Sequence, residues 1–318
     1  MRYIHQVKAK IVPRLKHSSP LFQILRKVYK LLYALDGYRK LFLTKLKGGS
    51  LGGKCPIKSY IVSSTSRFIE LQNGNKFLWK PADPEHLLNV ILSRNESEPP
   101  EIEILNSIIK TGDVVFDLGA NFGWYAVPLV RLVGPKGFVY CFEPDNSAYQ
   151  ELVFNLQINF GNSRNFQAEL MAVSNFDGET KLYSPRKLGS AFSSLIENYP
   201  SGRTLHQIVP VTKLDSYIKK NRIRRVDFIK CDIEGSELHF LEGAADLLAA
   251  DSSPVILMEI NEQDSRETFA VARKFGYQPY YLMRGKLQKL VSFNQSLPDY
   301  NFIFVKNYHL NSIRHLIL

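Results

Sequence analysis

From Leu21 to Leu35 the apolar positions repeat with a helical period. At about 100° per residue, Leu21, Ile24, Leu25, Val28, Leu31, Leu32 and Leu35 fall on one side, and Gln23, Arg26, Lys27, Lys30 and Gly37 on the other. This predicts a basic amphipathic helix, followed by a flexible break at Gly48–Gly53. Alternation then changes to a β period. Ser59–Ser64, Phe68–Gln72 and Lys76–Lys80 read as short strands, and Asn73-Gly74 forms a two-residue hairpin turn between the last two. Pro81 and Pro84 lead into a helix near Glu85–Leu92.

After Pro99 helices and strands alternate. Helices are expected at Glu101–Lys110, Trp124–Val133, Ala148–Asn159, Glu237–Leu248 and Arg266–Phe275. Strands are expected at Val114–Leu118, Gly137–Phe142, Phe166–Val173, Phe228–Cys231, Val255–Ile260, Pro279–Leu282 and Asn301–Val305. Continuous apolar strands alternating with helices predict an α/β fold, a doubly wound, mostly parallel sheet covered on both faces. The expected organisation is a helical extension over 1–50, a small β-rich segment over 51–92 and the main domain over 93–318.

Charge refines the first segment only. Residues 1–50 hold 12 Lys/Arg against one acid, Asp36, whereas the remaining 268 residues hold 29 of each sign. The whole excess of +11 therefore belongs to the extension. Its helix has two readings, packing on its own domain or a partner subunit, or peripheral contact of residues 1–47 with an anionic membrane. No recognised nucleic-acid motif accompanies it. Cys141 and Cys231 sit in apolar runs and Cys55 stands alone, so neither a zinc site nor a disulfide framework is indicated. No run approaches the ~18 apolar residues of a membrane span, and no signal peptide opens the chain, so a cytoplasmic location is expected. The sequons at Asn95 and Asn294 are accordingly read as chance.

The densest chemistry lies in Val114-Val115-Phe116-Asp117-Leu118-Gly119-Ala120-Asn121-Phe122-Gly123. A buried strand entering a glycine-spaced turn and a helix places a ligand at the carboxyl edge of a sheet. A dinucleotide site would need G-x-G-x-x-G/A, but Asn121 and Trp124 occupy its second and third glycine positions. Asp117 would repel a pyrophosphate and suits a charged amino group instead. The cofactor expected is S-adenosylmethionine, held by Asp117, Gly119, Ala120, Asn121, Phe122 and Gly123. In Phe142-Glu143-Pro144, Glu143 lies 20 residues beyond Gly123, where a carboxylate can accept hydrogen bonds from ribose hydroxyls. The bland alternative for Glu143 is a solvated strand-end acid. Ser174, in Ala172-Val173-Ser174-Asn175, is the candidate contact for the adenine; an ordinary turn explains it equally well.

A second strand-to-helix junction, Asp227-Phe228-Ile229-Lys230-Cys231-Asp232-Ile233-Glu234-Gly235-Ser236-Glu237, is unusually polar. Asp232 and Glu234 should face the donor, with Asp232 touching both donor and acceptor. Together with Lys230 and Glu259 they are the candidate catalytic residues, since methyl transfer to a hydroxyl requires a positioned acceptor and removal of a proton. Lys230 and Glu237 alternatively form a structural ion pair. Hard oxygen ligands suit magnesium, yet no spacing signature is present and no metal is expected. His239 is the nearest histidine and has no paired partner in the sequence.

These residues resemble the FkbM-type methyltransferases. The resemblance runs through Glu98-Pro99, Thr111-Gly112-Asp113, Val115 to Gly123, Phe142-Glu143-Pro144, Leu214-Asp215, Phe228 to Glu237, Gly243-Ala244 and Glu259, about 200 residues in order. It implies a seven-stranded class I methyltransferase sheet with a reversed last strand. It also implies O-methylation, the family being associated with hydroxyls of polyketides and of sugars in surface glycans. Phe122 departs from the pattern, where a smaller aliphatic residue is more usual. A non-catalytic module of the same fold and a nicotinamide oxidoreductase are the rival readings, the latter opposed by Asp117 and the glycine spacing.

Overall fold

The computed structural model describes residues 57–62, 67–80, 86, 88, 91–92, 99, 101–185, 193–197, 203–260, 265–283, 285–291 and 301–318. The predicted helix at Leu21–Leu35 lies outside the described residues, as does most of Glu85–Leu92, where Leu88, Ile91 and Leu92 are helical. The chain divides into two compact units, residues 1–97 and 98–318.

In the first unit β1 (Ile57–Val62), β2 (Arg67–Leu71) and β3 (Lys76–Leu78) form an antiparallel sheet in that order. The Asn73-Gly74 turn is present. Leu71 N donates to Asn75 O at 2.8 Å, the Asn73 side chain accepts from Asn75 N at 3.0 Å, and Gly74 takes φ 82°. Ile69, Leu71 and Phe77 are fully buried.

The second unit carries β4 (Val114–Leu118), β5 (Phe138–Phe142), β6 (Phe166–Glu169), β7 (Ala172–Val173), β8 (Gly178–Pro185), β9 (Arg203–Thr212), β10 (Phe228–Cys231), β11 (Val255–Glu259), β12 (Gln278–Met283), β13 (Lys286–Lys289) and β14 (Asn301–Val305). Its main sheet has eight strands in the order β13-β12-β14-β11-β10-β4-β5-β6. β14 runs antiparallel to both its neighbours, and the strands from β11 to β6 are parallel. Seven strands were expected. The eighth, β13, escapes the pattern because Lys-Leu-Gln-Lys offers one apolar residue, Leu287, which is fully buried.

Two further expectations are corrected. Phe166–Val173 is not one strand: β6 ends at Glu169, and β7 joins a separate sheet of order β7-β9-β8. The helix expected over Glu237–Leu248 breaks into α5 (Glu237–Gly243) and α6 (Ala245–Ala249). The remaining helices are α1 (Ile102–Ile108), α2 (Ala126–Val133), α3 (Asn146–Phe160), α4 (Leu214–Lys220), α7 (Ser265–Lys274) and the short α8 (Leu310–Ile313). None is long and apolar enough to cross a membrane.

The core explains why these strands read as apolar runs. Phe116, Phe142, Ile229, Cys231, Ile256, Met258, Phe302 and Phe304 are buried with Phe240, Leu241 and Phe269 from the covering helices. Each such side chain contributes on the order of 1.5–3 kcal/mol on burial. Strand order reverses at β4. The chain proceeds outward through β5 and β6 and then returns to β10 on the other side, which opens a crevice beyond the carboxyl ends of β4 and β10.

Candidate active site

At the end of β4 the backbone folds back on β5, with the N–H groups of Gly119 and Ala120 both donating to Phe142 O at 2.9 Å. Gly119 has φ 76°, and a Cβ there would lie 1.8 Å from the backbone oxygen of Asp232. The loops after β4 and β10 can therefore meet only over a glycine. Asn121 follows in the left-handed region at φ 49°, a conformation Asn tolerates better than most residues, and its Oδ1 accepts from Phe122 N at 2.8 Å. The buried Asn155 of α3 donates to Phe122 O at 2.7 Å and fixes the turn from beneath.

Asp117 is fully buried, and neither of its carboxylate oxygens has a hydrogen-bond partner. Burial pushes it up to about 6, with Lys230 opposing. Its nearest cation is the Lys230 ammonium, 3.7 Å from Oδ1, so both oxygens keep the capacity to accept a hydrogen bond from a further donor.

Glu143 is 5% exposed, which removes the reading of a solvated strand-end acid. Asn121 N donates to one of its oxygens at 2.8 Å and Asp145 N to the other at 2.7 Å, so it ties the β4 and β5 turns together. Burial pushes it up to about 8 while those N–H groups oppose. Pro144 and Asp145 are braced from β9: Gln207 donates to Pro144 O at 2.6 Å, and His206 Nε2 sits 3.0 Å from Asp145 Oδ2. Asp145 also caps α3 through Ser147 N and Ala148 N.

Ser174 is buried beside α5, where a Cβ on Gly243 would fall 2.0 Å from its carbonyl oxygen. Its N–H donates to Thr212 O, and among the described residues no hydrogen bond joins it to the β4 or β5 turns. The same close approach accompanies the break between α5 and α6.

On the other side of the crevice Lys230 is 4% exposed and lies among oxygens. Its Nζ stands 3.2 Å from Asp232 Oδ2, 3.7 Å from Asp117 Oδ1 and 3.1 Å from Gly119 O. Burial alone would lower the ammonium, but Asp232 and Asp117 hold it above its ordinary value. The partner is thus not Glu237, as one sequence reading had it. Glu237, itself pushed up to about 7 by burial, accepts from Ile233 N and Gly235 N at 3.2 Å and shapes the loop that displays Asp232 and Glu234. Glu234 takes φ 55°, a strained conformation for a non-glycine residue, and its carbonyl accepts from the buried Ser194 at 2.6 Å.

Glu259 ends β11 beside Asp232, since Cys231 and Met258 are in register. Facing Asp232, partly buried and near Glu234, it is pushed up to about 8, with Lys230 opposing. Three residues the sequence reading missed close this edge. Tyr125 stacks beneath Lys230, 5.0 Å from Nζ to ring centre, and donates to Glu101 Oε2 at 2.5 Å. Asn301, opposite Glu259 in the β11–β14 ladder, donates to Glu101 Oε1 at 2.9 Å. Glu101 and Asn301 are 200 residues apart, a separation no local motif reports. Only the neighbouring Glu98-Pro99 match hinted at the former. Among the described residues no hydrogen bond ties His239 to these acids, and no group of His, Cys, Asp or Glu is arranged to hold a metal ion.

Three buried acids, Asp117, Glu143 and Glu237, and the partly buried Glu259 are raised above their ordinary values. These four groups bind more protons in the folded than in the unfolded chain, and above about pH 6, beyond the range in which the lowered His309 opposes them, the stability they contribute falls as pH rises to about 8. Thermal melts of cofactor-free protein should show a higher Tm at pH 6 than at pH 8.5. A Tm that climbs over the same interval would contradict these environments.

A model of the family Methyltransferase FkbM domain matches residues 117–289. The chain belongs to this family. The methyltransferase order of the class I, Rossmann-like sheet is the one observed, with β13 added at the edge. Among solved structures the chain is similar to a methyltransferase FkbM from Methylobacillus flagellatus KT, at 18% identity and TM-score 0.40, over 69% of this chain and 53% of that one. The chain thus spans about half the length of that relative. It is also similar to a SAM-dependent O-methyltransferase from Thermotoga maritima, at 11% identity and TM-score 0.38, over 80% and 87% of the two chains. A third is fibrillarin from Aeropyrum pernix with natively bound S-adenosyl-L-methionine, at 12% identity and TM-score 0.36, over 79% and 99%. No curated protein matches. The residues present fit S-adenosylmethionine, above all the buried Asp117 beside the glycine turn, whose two oxygens take no hydrogen bond.

Proposed function

We propose that the chain transfers the methyl group of S-adenosylmethionine to a hydroxyl oxygen on a sugar, a glycan or a related secondary metabolite. The observation that carries this reading is the grouping of Asp232 and Glu259 at adjoining strand ends, with Glu234 on the loop after β10, around Lys230, the one buried cation among the described residues. Glu259, in this partly buried and acid-rich setting, suits removal of a hydroxyl proton, because its affinity for protons is raised toward neutrality.

In this reading Asp117 holds the amino group of the cofactor, and Glu143 accepts from its ribose on lone pairs the backbone donors leave over. Gly119, Ala120, Asn121, Phe122 and Gly123 form the surface on which it rests, with Pro144 flanking the ribose and Ser174 on the adenine side. The cofactor supplies an electrophilic methyl group on a positively charged sulphur. Lys230 fixes Asp232, and Glu237 fixes the loop from which Asp232 and Glu234 project. Tyr125, Glu101 and Asn301 wall the acceptor side and keep water from Glu259.

The reading is tested by following labelled methyl from the donor into a panel of sugar hydroxyls. Asp232→Asn should keep donor affinity within a few fold and lower turnover at least about 100-fold, the usual cost of disturbing a general acid–base site, because it removes the charge that Lys230 and Glu259 face. Label recovered on nitrogen, or an unchanged kcat in this variant, would remove the assignment.

A further inference from the structure

We propose that Glu259 carries a proton in the cofactor-free protein and gives it up when the positively charged methyl donor binds, so that the donor itself prepares the base that serves the acceptor. The inference rests on the methyltransferase reading above and goes beyond it in assigning one carboxylate and its trigger.

The argument starts from the register of the sheet. Cys231 and Met258 pair in the β10–β11 ladder, so Asp232 and Glu259, one residue further on each, leave neighbouring strand ends side by side. Charged groups surround Glu259 from each packed element: Lys230 from β10, Asp232 and Glu234 from the following loop and Glu237 from α5. Tyr125, across the crevice, has its hydroxyl committed to Glu101, and Asn301 of β14 is uncharged. Among the described residues the one cation acting on it, Lys230, is already shared between Asp232 and Asp117. Among the described residues no hydrogen bond reaches the Glu259 carboxylate. Two ionised carboxylates so placed repel each other strongly in a partly desolvated setting, and a proton on one relieves it.

An independent observation says that this crevice has room for a cation beyond Lys230, whose ammonium stands 3.7 Å from Asp117. Asp117, fully buried on the strand next to Asp232, keeps both oxygens without a hydrogen-bond partner. The arriving sulfonium and ammonium charges supply what Lys230 alone cannot, and Glu259 then ionises, its proton passing to the buffer. During transfer the oxygen–carbon bond forms and the carbon–sulphur bond breaks with its electron pair going to sulphur. The hydroxyl proton passes to Glu259. A neutral acid then faces a neutral thioether, and the charge of the resting protein is restored. Donor binding must precede productive acceptor binding.

Donor and product differ by this one charge, so the unmodified chain provides the control. Calorimetric titrations at pH 7.5 in phosphate and in Tris, whose ionisation enthalpies differ, count the protons exchanged. S-adenosylmethionine should release about half a proton or more in excess of S-adenosylhomocysteine, because a group titrating near pH 8 is largely protonated at that pH. The donor-over-product affinity ratio should rise several-fold from pH 6.5 to 8.5. In Glu259→Gln the two ligands should release equal numbers of protons. Equal release in the unmodified chain overturns the proposal, as does an excess that survives in Glu259→Gln. If that variant fails to fold, the donor–product comparison decides alone. Absence of heat with both ligands would instead sink the methyltransferase reading.

Discussion

Gly119→Ala is expected to abolish measurable donor binding while leaving a folded but weakened chain. The added Cβ would stand 1.8 Å from the Asp232 carbonyl oxygen and 2.9 Å from its carbon, both backbone atoms that cannot rotate away. The φ of 76° adds a second penalty for any L side chain. The loops after β4 and β10 must separate, which displaces Asp232 from Lys230 and the Asn121 N–H from Glu143. Donor affinity should fall more than about 100-fold, or roughly 2.7 kcal/mol, and Tm by several degrees. Gly74→Ala is the matched control: its φ is 82°, but nothing lies within 4 Å of the new Cβ. It should cost about 1 kcal/mol and leave donor affinity intact. Equal donor affinity in Gly119→Ala and the unmodified chain would refute the close approach.

The second large effect concerns Lys230→Met. The substitution keeps the packing stem and removes the charge, which leaves Asp117 buried without its cation. Breaking a buried pair in this way costs about 3–5 kcal/mol, a fall in Tm on the order of 10 °C for a unit of this size. The sign with pH follows from the acids left behind. Asp117 already titrates near 6 with Lys230 present, and loss of the ammonium raises it further. The variant should be least impaired at acid pH, where protonation neutralises the orphan, and progressively worse as pH rises through 6. A deficit that is constant from pH 5 to 8 would mean that Lys230 acts through packing alone.

The sequence made the parallel part of the sheet legible because β4, β5, β10 and β11 are buried on both faces and therefore read as unbroken apolar runs. It made the cofactor edge legible because glycine spacing and strand-end acids are local signals. What it hid was non-local or faint. β8 and β9 pair mainly with each other in a small, half-exposed sheet, where Leu205 and Ile208 face outward and blur the alternation. The alternative pairing of Lys230 with Glu237 rested on chain proximity, whereas Asp232 stands 3.2 Å away and strand pairing brings Asp117, 113 residues away, alongside. Glu101, Tyr125 and Asn301 converge from three elements, and no spacing rule joins them. Asn121 was chosen for its place in the turn, but its left-handed backbone and its N–H on Glu143 give the physical reason for it.

The brace that β9 applies to the Pro144–Asp145 turn separates the two duties of the crevice. The nucleoside half is anchored by His206 and Gln207 from the small sheet, while the acceptor half is bounded by residues at the start of α1, α2 and β14. The halves meet at Lys230, which lies over the Tyr125 ring and donates to Gly119 O. On the proposed reading the ribose grip at Glu143 is therefore held apart from Glu101 and Asn301, which makes those two the positions to vary in a search for altered selectivity, with Tyr125 left in place.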